Sequence, residues 1–233
     1  MTITDLGALA DAAADLVPGS GRVILGITGA PGSGKSTLVD ALVRELSSRE
    51  PPQSRASGRE GPWVVQVPMD GFHLADESLD RLGMRERKGA PETFDAEGYA
   101  ALLGRVVDPD QRESTIYAPT FERDLEQPIA GAIAVPPSAS LVITEGNYLL
   151  LPDAPWPKVR AHVTQVWHCA TDETRRVDQL IRRHIAHGKS PDEAREWALG
   201  SDEDNAVKVT RASEGADLII TEELLQAATN HSE

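Results

Sequence analysis

Gly29-Ala30-Pro31-Gly32-Ser33-Gly34-Lys35-Ser36 is the stretch on which the reading of the fold turns. Ahead of it, Arg22-Val23-Ile24-Leu25-Gly26-Ile27-Thr28 is an apolar run of the length of a buried parallel strand. Behind it, Leu38, Leu42, Val43 and Leu46 fall on one face of a helix. Strand, glycine-rich turn and helix, in that order, are the setting that the G-x-x-x-x-G-K-[ST] phosphate loop requires. The glycines allow successive backbone N–H groups to turn inward around a polyphosphate, and the helix start adds its own unpaired N–H groups and positive dipole end. The segment Gly29 to Thr37 is therefore the expected nucleotide cradle, with Lys35 as the mobile cation for the outer phosphates and the Ser36 hydroxyl as a ligand for Mg²⁺. The complete motif in this setting disfavours a glycine-rich turn that binds nothing.

The 233 residues suit one α/β domain with a small mobile subdomain, and 40% hydrophobic with 26% charged residues is ordinary globular composition. A net charge of −14 supplies no basic surface field, which argues against nucleic acid and anionic membrane as partners. An anionic ligand must then be drawn in by local groups. Cys169 stands alone, so no internal disulfide forms, which suits a reducing cytoplasm; it closes the apolar run Val163–Cys169 and reads as a buried strand thiol. The N-terminus lacks the basic start of a secretory signal, and no apolar run approaches the ~20 residues of a membrane span.

In chain order, Thr4 to Val17 reads as a packing helix capped by Thr4 and stopped by Pro18-Gly19. Residues 47–62 lose apolar periodicity and collect Pro, Ser, Gly and Arg, as an exposed connector does. Trp63–Pro68 is a strand that delivers Asp70 to the ligand edge of an open parallel sheet, where a carboxylate accepts a substrate hydroxyl proton or holds Mg²⁺. Leu74–Leu82 is a short helix, Arg85–Lys88 a basic cluster, and Asp95 the cap of a helix carrying Tyr99, Leu102, Leu103 and Val106. Thr115–Pro119 and Ile129–Val135 are short strands around a turn, Thr120 to Pro128. Ser140–Tyr148 is a strand with Glu145 at the ligand edge, placed to steer Mg²⁺ or its bound water. The helix from Thr171 to His184 carries four arginines and reads either as a salt-laced surface helix or as a lid that brings guanidinium groups to a phosphoryl group. Ala216–Ile220 is a last strand.

GAPGSGKST, MDGFHL, KGAPETFD, APTFERDLEQP, EGNYLLL and RRHIAHGKSPDEA with DEDNA together resemble the superfamily of uridine kinase, phosphoribulokinase and bacterial pantothenate kinase, most of all its nucleoside/nucleotide kinase or fructokinase-like branch. The resemblance spans roughly residues 20 to 220. It implies a three-layer α/β/α P-loop NTPase, a five-stranded parallel core sheet and a helical lid over about 172–200, in a single domain of 1–233. It makes Asp70 the catalytic base, with Lys35 and Arg183 in catalysis, and sets Glu145 beside Ser36 as the acid near Mg²⁺. Arg176 and Arg182 are lid contacts for the nucleotide; His73, Lys88, Phe94, Tyr117 and Arg123 fall on the acceptor side. Gly89-Ala90-Pro91 stands where the uridine kinases carry Asp-His-Pro, so nucleoside recognition is not implied. The family is compatible with a homodimer, although no stretch identifies an interface.

The expectation from sequence is therefore an ATP- and Mg²⁺-dependent kinase that phosphorylates a hydroxyl of a small molecule: a sugar, a nucleoside or a pantothenate-like alcohol. A regulatory or chaperone-like ATPase without an acceptor is the alternative. A signalling GTPase is weaker, because no N-K-x-D guanine reader is present.

Overall fold

The computed structural model describes residues 3–52 and 60–229. In chain order it contains α1 (Leu6–Asp15), β1 (Val23–Thr28), α2 (Lys35–Ser47), β2 (Val64–Gln66), α3 (Asp76–Leu82) and α4 (Ala96–Val107). An antiparallel pair follows, β3 (Ile116–Glu122) and β4 (Gln127–Val135), then β5 (Leu141–Glu145), α5 (Trp156–Arg160) and β6 (Gln165–Cys169). Three helices, α6 (Glu173–Ala186), α7 (Pro191–Leu199) and α8 (Ser201–Ala212), lead to β7 (Leu218–Ile220) and α9 (Glu222–Thr229).

Five strands pair in parallel in the order β2-β5-β1-β6-β7. Parallel strands need crossovers, and the helices cover both sheet faces, so the strands read as near-continuous apolar runs. Within β1 the side chains alternate: Ile24 joins Val142, Val166, Tyr99, Leu103 and Trp156 on one face, while Leu25 and Ile27 join Leu38, Leu42, Leu9 and Leu225 on the other. The result is the α/β/α sandwich with the five-stranded core expected from sequence. Ile27 of β1 lies in register with Glu145 of β5, which sets that carboxylate beside the phosphate loop.

Several boundaries differ from the sequence expectation, each for a local reason. Asp5, not Thr4, caps α1, its carboxylate accepting from the Ala8 amide at 2.9 Å. α6 begins at Glu173 rather than Thr171, capped by Asp172, and the Thr171 hydroxyl donates to the Ser33 carbonyl at 2.9 Å. β5 stops at Glu145, after which Gly146–Tyr148 turn away. The turn expected over Thr120–Pro128 is mostly strand: the pair extends to Glu122 opposite Gln127, leaving a tight turn in which Glu126 takes φ 54°. Of the connector expected over 47–62, residues 53–59 lie outside the described ones. At its edges the chain is anchored, since Arg49 pairs with Asp11 at 2.6 Å and Glu45 at 2.7 Å and the Trp63 indole donates to the Arg49 carbonyl at 3.2 Å.

The β3–β4 hairpin stands off the main sheet and is fastened at its root by one side chain. Arg22, buried ahead of β1, donates to the carbonyls of Ser114 at 3.2 Å and Pro136 at 3.0 Å, one on each flank of the hairpin. Its Nε also donates to the Ala139 carbonyl at 3.2 Å.

Candidate active site

The phosphate loop leaves β1 at Thr28 and enters α2 at Lys35. Gly32 and Gly34 adopt φ +82° and +81°, a region open to glycine at little cost, and Gly34 caps α2 without any side-chain hydrogen bond. Among the described residues the first amides of α2 thus have no side-chain acceptor, as an anion site at a helix start requires. The outer side of the loop is held by the protein: Arg176 Nη1 donates to the Pro31 carbonyl at 3.3 Å, and Thr171 holds the Ser33 carbonyl.

Two cavities meet at this loop. The first, about 410 Å³, is bounded by the loop, by Arg175, Gln179 and Arg183 of α6, and by Glu222 and Leu225 of α9. The second, about 400 Å³, runs from the loop toward Asp70, His73, Phe94 and Asn205. Lys35, Ser36, Arg123, Arg183 and His187 line both, so a group bound in one lies end-on to a group bound in the other.

At the junction the Ser36 hydroxyl donates to both Glu145 carboxylate oxygens, at 3.2 and 3.1 Å. Burial pushes the Glu145 carboxyl above its ordinary value, against the pull of the Lys35 ammonium and the Ser36 bond. Burial likewise lowers the Lys35 ammonium, opposed by Glu145 and Asp70. A buried carboxylate that is only partly compensated, next to a hydroxyl at a phosphate loop, is a donor set that fits Mg²⁺. That ion is ordinarily held by one or two carboxylates plus phosphates and water, rather than by a full protein cage. Consistent with that, the described residues contain no group of three or more His, Cys, Asp or Glu arranged to hold a metal unaided.

On the other side, Asp70 sits in the 3-10 turn Met69–Phe72 that follows β2, with Arg123 Nη2 at 4.0 Å. Gly71 lets this turn press against the hairpin, since a Cβ there would run into the Pro119 carbonyl. The His73 ring stacks on Phe94 (centroids 4.0 Å) and Phe121 (4.9 Å), and burial drives its pKa down to about 4. Lys88 lies 2.8 Å from Asp76 and 5.4 Å from the Phe121 ring centroid.

The structure thus brings together Lys35, Ser36, Asp70, His73, Lys88, Phe94, Arg123, Glu145 and Arg183. Three sequence assignments lie elsewhere. Tyr117 is 60% exposed and lines neither cavity, because strand alternation turns Ile116 and Ala118 inward and Tyr117 out. Arg182 is exposed on the outer face of α6 and lines neither cavity. Arg176 is buried behind the loop, ion-paired with Glu203, where it supports the loop backbone from outside the cavity. The sequence reading missed Arg175 and Gln179. They form with Arg183 and His187 an i, i+4 stripe along α6, a spacing legible in the sequence once the helix phase is fixed by Leu180. Asn147, Asp202 and Asn205, which line the second cavity, were also missed.

A family model described as "Methylmalonyl Co-A mutase-associated GTPase MeaB" matches residues 10–51, the phosphate-loop segment alone. A protein of Schizosaccharomyces pombe described as "Putative uridine kinase C227.14" is 38% identical over 62% of this chain, which spans 58% of that relative's length. "Uncharacterized protein YggC" of Escherichia coli is 34% identical over 85% of this chain and 77% of its own. The crystal structure described as a "putative fructose transport system kinase" from Silicibacter sp. TM1040 superposes with a TM-score of 0.79 at 36% identity, covering 94% of this chain and 98% of that one. The chain belongs to the P-loop kinase superfamily that includes uridine kinase and pantothenate kinase. In the described part of the chain, no helix is long and apolar enough to cross a membrane.

Proposed function

We propose that this P-loop kinase transfers the γ-phosphoryl group of ATP to a hydroxyl of a small molecule. The observation that carries the reading is the meeting of the two cavities at Lys35 and Ser36, with a carboxylate, Asp70, on the acceptor side. ATP lies along the first cavity, its phosphates on the loop amides and its base toward Glu222 and Leu225. The acceptor lies in the second.

Asp70 accepts the proton of the attacking hydroxyl and aligns its oxygen with the γ-phosphorus; Arg123, 4.0 Å away, orients it. Lys35 and Arg183 face the same point from the loop and from α6, and neutralise charge on the transferring group as it passes through a loose transition state. Ser36 and Glu145 would hold Mg²⁺, which supplies further charge neutralisation to the phosphates. The ring wall of His73, Phe94 and Phe121 excludes water from the reacting hydroxyl and so favours transfer over hydrolysis.

The test is Asp70→Asn. Phosphoryl transfer to an acceptor is expected to fall by about 10²-fold or more, the usual scale of general-base removal, with ATP affinity within a few-fold of wild type. Transfer by that variant at near the wild-type rate would remove Asp70 from its role. ATP hydrolysis that no acceptor stimulates in the wild type would favour the acceptor-free ATPase instead.

A further inference from the structure

The acceptor side of the cleft holds a charge pattern and two amides that the transfer mechanism leaves unused. Away from the junction, where Lys35 and Arg183 face the transferring group, its cations already have partners. Lys88 lies 2.8 Å from Asp76 and 3.7 Å from Glu126, and Arg85 lies 2.7 Å from Asp76. Arg123 faces Asp70, and Lys189 rests 4.5 Å from the centroid of the Trp197 ring, its charge on the aromatic face. The remaining acid, Asp202, receives His184 at 2.7 Å. A carboxylate or phosphate entering this end, away from Lys35 and Arg183, would give up its water among cations that are already paired.

Among the described residues, this end also holds neutral groups without a partner. The Asn147 side chain hydrogen-bonds to the Tyr148 hydroxyl, yet its buried Oδ1 has no partner among the described residues. Asn205, 3% exposed, lines the same cavity, and its side-chain amide makes no hydrogen bond to any described residue. Buried polar groups are ordinarily satisfied, and an open amide oxygen with an unpaired amide in one cavity marks where a ligand's own donors and acceptors belong. The same cavity is lined by the rings of His73, Phe94 and Phe121, an apolar face of the kind that covers a carbon skeleton.

We infer that the acceptor is an uncharged compound bearing several hydroxyl groups, and that Asn147 and Asn205 select it by hydrogen-bonding to hydroxyls other than the one phosphorylated. The inference rests on the kinase reading and adds to it the acceptor's charge and the residues that read it. A deoxy analogue would strand a buried amide, which penalises it more than the loss of one favourable contact would.

The experiment measures ADP release and phosphorylated product with ATP–Mg²⁺ over matched pairs: free pentoses, hexoses, alditols and nucleosides, each against its phosphate- or carboxylate-bearing counterpart. Neutral members are expected to raise ADP release at least tenfold above background hydrolysis, with charged counterparts below a tenth of their kcat/KM. Asn205→Ala and Asn147→Ala are expected to raise the acceptor KM about tenfold. The KM for ATP and the melting temperature should stay unchanged, and preference over the matching deoxy compound should be lost in one of the two variants. A charged member preferred over its neutral partner overturns the inference and leaves the kinase reading standing. Acceptor KM within twofold of wild type in both amide variants also overturns it. Hydrolysis with no phosphorylated product from any compound refutes the kinase reading and takes the inference with it.

Discussion

Acidification below pH 6.5 should destabilise this protein through His73. The ring lies between Phe94 and Phe121, its Nδ1 has no hydrogen-bonding partner, and burial lowers its pKa from 6.5 to about 4. Nearby Asp70 opposes that shift, while Lys88 and Arg123 reinforce it. Because the folded pKa lies below the unfolded one, the contribution of neutral His73 is fully present above about pH 6.5 and is lost progressively as pH falls toward 4. At 1.36 kcal/mol per pKa unit the full effect is on the order of 3 kcal/mol, and between pH 7 and pH 4.5 about 2 kcal/mol of it is lost. His73→Phe keeps an aromatic ring in the stack and removes the titration, while every other titrating group is common to both proteins. Urea unfolding followed by tryptophan fluorescence at the two pH values should therefore show wild type losing about 2 kcal/mol more than the variant. Parallel losses, within about 0.5 kcal/mol, would mean that His73 takes up its proton in the folded state as easily as in the unfolded chain, and the burial argument would fail.

The two neighbouring lid arginines should separate cleanly. Arg183→Ala is expected to lower kcat by 10²-fold or more, the scale of losing a transition-state charge partner, whereas Arg182→Ala should stay within twofold; equal effects in steady-state assays would contradict the assignment. Arg176→Ala leaves Glu203 and the Pro31 carbonyl without their partner, and is expected to cost about 2–3 kcal/mol in chemical denaturation; an unchanged midpoint would show that the pair behind the loop carries no structural weight. Tyr117→Ala should leave acceptor KM within twofold and stability within about 0.5 kcal/mol, as for any exposed side chain away from a site. A large KM change there would restore Tyr117 to the acceptor pocket.

The parts of this site that sequence makes legible are those where residue type and spacing carry the chemistry. A lysine and a serine closing a glycine-rich loop can take few roles, and a carboxylate at the C-terminal end of a parallel strand must face the ligand edge, so Lys35, Ser36, Asp70 and Glu145 fall where the pattern sets them. What escapes is orientation. Arg175 and Arg176 are adjacent, yet about 100° apart around the helix axis: one faces the first cavity and the other the back of the loop. Only packing, with Leu180 buried on the same side as Arg176, decides between them. Tyr117 escapes for the strand version of the same reason, since a one-residue change of phase reverses its face. The hairpin was read short because Phe121-Glu122-Arg123 lacks apolar alternation; its pairing is backbone hydrogen bonding, to which composition is nearly blind. Asn147 and Asn205 carry no motif, and their significance lies in lacking partners, a property of three-dimensional neighbours alone.

The way the hairpin is rooted has an evolutionary consequence. Its two ends are gripped by one buried guanidinium, Arg22, while Arg123 and the ring of Phe121 ride near its far end. Insertions, deletions or substitutions toward the tip leave the main sheet, the phosphate loop and the grip of Arg22 untouched. Changes there that spare Arg123, which lines both cavities, would alter what the cleft admits while the phosphate loop stays as it is. Selection can thus retune the choice of metabolite by editing one peripheral ribbon while the catalytic engine is inherited unchanged, a modularity that would let a single ancestral scaffold diversify into kinases of unrelated acceptors.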